Sequence, residues 1–231
     1  MTTLNASPLD TTLDTTLDTP VADHGHRVPG RPDQAMREQT RRREDWAQSR
    51  TLLDTVRMLM SRPTGDEIAQ QLVLNLLGDH EPKTAVICLF GSDGALHAAG
   101  AFGLAGPALD VFNTMSLWDS SPMADCIRTH DMLVLTTGDQ VAERYPWLAP
   151  KGRPCDPLAV ATLAVMNQPI GVVQVTFAAT PDPTAVRADL AGLTAVLGLY
   201  FSLVRGRTNA MADARHAASS ASASVDDDVS A

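Results

Sequence analysis

The chain has 231 residues, 44% hydrophobic and only 4% aromatic, with a formal net charge of −9. That length allows one domain with a core that needs no disulfide staples. The acidic balance argues against nucleic acid as a partner, since such a binder needs a basic face to displace counterions from phosphates. The three cysteines, Cys88, Cys126 and Cys155, are too few and too far apart for a disulfide framework and fit a reducing cytosol. The start, Met1-Thr2-Thr3-Leu4-Asn5, lacks the basic and apolar runs of a secretory signal. The longest apolar stretch, Pro157 to Ala179, is interrupted by Asn167-Gln168-Pro169. Each piece falls far short of the ~20 residues that a helical membrane span needs. A cytoplasmic protein without a membrane span is expected.

Residues 1–35 repeat Thr-Thr-Leu-Asp and then become rich in Pro and Gly, so they are expected to be a disordered tail. Residues 36–206 are expected to form the domain. The Ala/Ser-rich residues 207–231, which end near Asp226-Asp227-Asp228, are read as a second tail. The first helix is placed from Pro32-Asp33 to about Ser61, with apolar positions at Trp46, Leu53, Val56 and Met60 and a solvated basic start at Arg41-Arg42-Arg43. Pro63 breaks it, and Thr64 caps a second helix with Glu67 in the capping-box position.

Strand signals follow. Thr84–Phe90 reads as a buried strand, Gly91-Ser92-Asp93-Gly94 as a turn, and Ala95–Ala101 as the returning strand. The region 103–131 holds short helices, a short strand at Met115–Leu117 and a helix at Pro122–His130, capped by Ser120. Met132–Leu135 is the next strand, Asp139–Tyr145 a helical turn, and residues 146–157 a loop. Leu158–Met166 and Ile170–Phe177 form a hairpin, and the last helix starts at Asp182 or Thr184. Its apolar positions Val186, Leu190, Leu193, Leu197, Tyr200 and Val204 recur as a heptad-like seam. That seam packs either on the sheet alone or on the sheet and a partner helix.

This order of elements resembles the GAF family. The residues that carry the resemblance are Asp66-Glu67-Ile68-Ala69, then Ala85 to Phe90 with Asp93-Gly94. Pro122-Met123-Ala124 leading to Met132-Leu133-Val134-Leu135 comes next, and Pro169-Ile170-Gly171-Val172-Val173-Gln174-Val175-Thr176-Phe177 closes the match. The resemblance covers roughly residues 50–206. It implies an α+β, PAS-related fold: an antiparallel sheet with the N- and C-terminal helices on one face and a loop and helix cover on the other. It further implies a sensory or regulatory protein that binds a small molecule under that cover, forms a homodimer through its first and last helices, and signals in trans to a regulatory partner. The family's cyclic-nucleotide and bilin motifs are absent from this sequence. The alternatives are a thiol-based enzyme of the type that reduces free methionine sulfoxide, using Cys126 and Cys155, or a passive interaction adaptor with a filled pocket.

Period-two alternation places Thr162, Gln174 and Thr176 on one face of the last hairpin, with a turn at 167–169 pairing Thr162 with Gln174 and Val160 with Thr176. These three form a half-polar floor. Trp118, Asp119, Tyr145 and Trp147 are expected to sit over it, in loops that hold much of the chain's small aromatic complement. The seven residues are the candidate ligand site. No nucleophile–base–acid set or metal-ligand spacing stands out, and the lone strand histidine, His97, a residue type with which some members of the family ligate a haem, is read here as a partly exposed or satisfied residue. The chain is therefore expected not to be an enzyme, and the resemblance names no cofactor.

Overall fold

The computed structural model describes residue 36 and residues 49–104, 106–113, 115–149 and 154–228, the last stretch by backbone alone from residue 212. The expected tail 1–35, Trp46 and Arg41 to Arg43 lie outside the described residues. Contacts divide the chain into two units, Met1–Arg41 and Arg42–Ala231. The sheet and the helices packed on it belong to the second unit.

Helix α1 is described over residues 49–60. Thr64 caps α2 (Gly65–Gln71) through the expected box: its hydroxyl accepts from the Glu67 amide, and Glu67 Oε2 accepts from the Thr64 amide at 2.7 Å. The helix widens over Leu72–Leu76, where the Leu77 amide donates to the Leu72 carbonyl at 3.0 Å. Strands β1 (Pro82–Phe90) and β2 (Leu96–Phe102) follow, joined by a turn in which Gly94 has φ +76°. Short helices α3 (Pro107–Asn113) and α4 (Pro122–Thr129) precede β3 (Leu133–Leu135) and α5 (Gly138–Arg144). The chain closes with β4 (Leu158–Val165), β5 (Gln168–Phe177) and α6 (Pro183–Asp228).

The sheet has five strands in the order β2-β1-β5-β4-β3, with every neighbouring pair antiparallel. Strand alternation sorts its side chains into two cores. Ala159, Ala161, Leu163, Val173, Val175 and Phe177 face α1, α2 and α6, where they meet Leu59, Ile68, Leu72, Leu190 and Leu193. On the opposite face Val86, Cys88, Val160 and Val172 pack against Phe112 of α3, Met123 and Cys126 of α4, and Tyr145. The expected α+β architecture, with terminal helices on one face and a helix and loop cover on the other, is the one observed.

Four local expectations change. The β4–β5 turn is Met166-Asn167, both in the left-handed region at φ 49° and 63°; it is a two-residue hairpin turn, not a turn at 167–169. The register moves accordingly, so that Thr162 lies opposite Val172, Val160 opposite Gln174 and Leu158 opposite Thr176. Because the displacement is even, Thr162, Gln174 and Thr176 keep their expected face, while Ile170, beside the irregularity at Leu163/Ala164, packs with the helix-side core. Met115–Leu117 is not a strand: Asp119 Oδ2 accepts from the Ser116 amide at 2.7 Å and closes a turn there. Ser121, not Ser120, caps α4, its hydroxyl accepting from the Ala124 amide at 3.1 Å, with Pro122 at the first helical position.

The helices also use their apolar residues differently from the expected pattern. On α1, Thr55 and Leu59 are buried, whereas Leu53, Val56 and Met60 are 60%, 44% and 78% exposed. On α6, Val186, Leu190, Leu193, Leu197 and Phe201 are in the core, which consumes the seam up to Leu197. Leu199, Leu203 and Val204 remain exposed. The helix runs on to Asp228, into the Ala/Ser-rich residues read as a second tail. By length and composition Pro183–Met211 is apolar enough to cross a membrane, with a mean hydropathy of 1.3 in its most apolar window. The charge-free apolar stretch of the sequence, Pro157 to Ala179, is the β4–β5 hairpin. The fully buried positions of α6 are the ones that complete the core against the sheet, as in the central helix of a globular domain.

Candidate functional site

The seven candidate residues do not line one cavity. Asp119 and Trp147 line a cavity of about 330 Å³, together with Val111 at the end of α3, Met115, Ser120 and Ser121. Gln174 and Thr176 face a separate space of about 170 Å³, walled by Val141, Leu148, Cys155 and Leu158. Thr162 lies beside a third, of about 510 Å³, with His130, Met132, Ala191 and Thr194. Trp118 is 90% exposed and Tyr145 is 1% exposed, and neither borders these cavities. The central floor is covered instead by the protein's own side chains, chiefly Met123, Cys126, Ile127 and Tyr145.

Each polar group of the expected floor has its own place. Thr176 and Thr84 share a hydroxyl hydrogen bond of 2.7 Å across β5 and β1. The Thr162 hydroxyl lies 3.4 Å from the Cys126 thiol, which also donates to the Val160 carbonyl at 3.4 Å. Gln174 is buried, and no buried side-chain nitrogen or oxygen among the described residues lacks a partner. His97, in β2, is half-exposed and pairs with Asp93 at 3.0 Å. Among the described residues no cluster of three His, Cys, Asp or Glu side chains could hold a metal ion.

The cover is organised by a residue the sequence did not single out. Asp125, on α4, accepts from the Tyr145 hydroxyl at 2.6 Å and from Arg144 at 3.2 Å, and pairs through its other oxygen with Arg128. Arg128 reaches on to the Leu117 carbonyl at 2.9 Å, and the Trp147 indole N–H donates to the Ser120 carbonyl at 2.6 Å. α4, α5 and the 115–121 loop are thereby tied together around the 330 Å³ cavity. Burial pushes the Asp125 carboxyl up, but the bonds from Tyr145 and Arg144 and the charges of Arg128 and Arg144 outweigh it and hold the group below its ordinary range. Burial and the Asp125 carboxylate together push the Tyr145 phenol up. The hidden signal was the spacing of Asp125 and Arg128 on one helix face; nothing local linked them to Arg144 and Tyr145.

The thiols sit where their ionisation is suppressed. Burial pushes Cys88 up to about 12 and raises Cys126. Burial, with Asp156 and Asp139 nearby, raises Cys155 too. An activated thiolate needs the opposite surroundings, a cation or a helix N-terminus. With iodoacetamide under native conditions, Cys155 should label first, while Cys88 and Cys126 label only on unfolding. Rapid labelling of Cys126 in the folded protein, read by peptide mass spectrometry, would contradict this order.

These features define a class: a five-stranded antiparallel sheet with terminal helices on one face and a variable helical cover on the other. The chain has the GAF fold. The GAF domain of a phosphoenolpyruvate-protein phosphotransferase from Coxiella burnetii aligns with a TM-score of 0.57 at 10% identity, over 71% of this chain and 98% of its own. The GAF domain of the corresponding Acinetobacter protein aligns with a TM-score of 0.54 at 13% identity, over 69% of this chain and 95% of its own. No family model matches the chain, and no curated protein matches its sequence. The expectation that the chain is not an enzyme is corrected by a further similar structure, that of fRMsr of Staphylococcus aureus in complex with substrate. It aligns at 9% identity and a TM-score of 0.48, over 66% of this chain and 94% of its own. The fold therefore does not exclude an enzyme, and a likeness that distant assigns no reaction to this chain.

Proposed function

We propose that this chain is a sensory or regulatory domain of the cytosol that binds a small molecule in its helical cover and signals in trans through a homodimer built on α1 and α6. The observation that carries the reading is the division of labour between the two faces of the sheet. One face bears the 330 Å³ cavity within a hydrogen-bonded cover. The other bears two helices running side by side in the same sense, with Leu52 of α1 against Gly192 and the Tyr200 hydroxyl donating to the Pro63 carbonyl at 3.0 Å. They leave Leu53, Val56, Met60, Leu199 and Leu203 exposed, and large apolar side chains grouped on one surface mark an interaction site. Three free thiols, two of them buried, favour a reducing compartment.

The full chain should run as a dimer at micromolar concentration in sedimentation, and Leu53→Asp with Leu203→Asp should shift it to monomer without loss of helical signal. A wild-type monomer would remove the bundle from the reading. A metabolite screen should find a compound that raises the melting temperature by several degrees; silence across cationic, neutral and anionic sets would favour the adaptor. That second reading draws on the side chains that fill the space directly over the sheet.

A further inference from the structure

The cavity between α3 and the 115–121 loop has a charge character that selects among ligands. The cavity is open to solvent: its polar lining is the exposed Asp119, with Ser120 beside it, and its apolar lining is Val111, Met115 and the half-exposed Trp147. One carboxylate oxygen of Asp119 accepts from the Ser116 amide, which fixes the side chain in its turn. No Lys, Arg or His side chain among the described residues is paired with that carboxylate. Among the described residues, two arginines of the cover are engaged elsewhere. Arg128 holds Asp125 and the carbonyls of Leu117 and Asp119, and Arg144 holds Asp125 while its guanidinium lies 5.6 Å from the Tyr145 ring centre. The Trp147 N–H is used by the Ser120 carbonyl, so the ring offers the cavity only its π surface and edge.

Resting on the reading of this cavity as the ligand site, we propose that it takes a small organic cation, a primary ammonium on a compact apolar body. An ammonium gains a charge-assisted hydrogen bond to Asp119 and the attraction of the indole π system, while its apolar body covers Met115 and Val111. An anionic ligand gains neither, and its charge meets the Asp119 carboxylate. The volume of about 330 Å³ lies at the lower end of the range for small-molecule sites, which sets the size at a simple amine or amino-acid derivative, well below a nucleotide.

The test titrates the full chain with three probes of similar size, benzylammonium, its neutral isostere benzyl alcohol, and benzoate, and follows the Trp147 indole N–H resonance, assigned with Trp147→Phe. Benzylammonium should shift it saturably with a dissociation constant at least about ten-fold below that of benzyl alcohol, and benzoate should not shift it. Asp119→Asn keeps an oxygen acceptor for the Ser116 amide, so the loop turn survives. That variant should bring benzylammonium to within about two-fold of the alcohol. Equal binding of alcohol and ammonium, tighter binding of benzoate, a preference that survives Asp119→Asn, or no shift with any probe would each overturn the proposal. A neutral or anionic metabolite that stabilises the protein in the metabolite screen would leave the sensor reading standing while the cation selectivity fails. Absence of any stabilising ligand would sink that reading.

Discussion

Gly100→Val should cost about 4 kcal/mol or more of folding stability, a large share of the 5–15 kcal/mol that holds a typical domain together. The reason is a backbone-to-backbone contact. A Cβ built on Gly100 would lie 2.0 Å from the Gly65 carbonyl carbon, and one on Gly65 would lie 1.9 Å from the Ala99 carbonyl oxygen. No rotamer change relieves such contacts, because the obstructing atoms belong to the chain itself. The contact sits where β2 bulges: Ile87 opposes Gly100 but Cys88 opposes Ala98, which leaves Ala99 unpaired. The bulge lets β2 meet the first turn of α2, where Asp66 accepts from the Ala101 amide at 2.8 Å. Gly78→Ala is the control, since nothing lies within 4 Å of its built Cβ. Urea melts in which both variants matched the wild type would show that α2 and β2 do not approach this closely.

The second large effect concerns Asp125. Asp125→Asn should lower stability near pH 7 by about 2 kcal/mol, the scale of lost charge-assisted hydrogen bonds in a partly buried group. The pH dependence follows from the lowered carboxyl. Its folded-state value lies below the ordinary one of roughly 3.9, so its contribution is fully present above that pH and is lost as pH falls through the folded value. The stability gap between wild type and Asp125→Asn, from urea melts between pH 7 and pH 3, should therefore be constant down to about pH 4 and narrow below it. A gap that does not change with pH would mean that the Asp125 charge contributes nothing to the fold. Asp125→Ala should cost more than the Asn variant, because it leaves the buried Tyr145 hydroxyl without its acceptor.

Asp125 also marks where reading the chain in order stops working. Thr64 and Glu67, three residues apart, announced the start of α2 because a capping box is a local device. The two faces of β4 and β5 were legible for a similar reason. Period-two alternation survives any even shift, so an incorrectly placed turn still sorted Thr162 from Leu163 correctly. The stripe Leu53, Val56 and Met60 was legible as a stripe, but helical periodicity cannot say whether an apolar face meets its own sheet or a partner. In this chain Leu52, Thr55 and Leu59 turn inward and the stripe turns outward.

Composition and pattern determined an α+β chain whose last hairpin has one apolar face, whose second helix begins at a nameable cap, and whose order of elements is that of a GAF fold. Those features depend on neighbours a few residues apart or on strict periodicity. Tertiary structure alone decided where the candidate site residues lie. Trp118, Tyr145 and Trp147 lie close in sequence to the cover, yet one is exposed, one is buried on Asp125, and one edges a cavity with Asp119. That sorting depends on how α4, α5 and the 115–121 loop dock on one another through Asp125, Arg128, Arg144 and Trp147, contacts between residues up to 27 apart that carry no local signature. The scarce aromatics and the net charge of −9 bounded the chemistry. Which acid faces a cavity, and which is bound up by arginines, was fixed by packing.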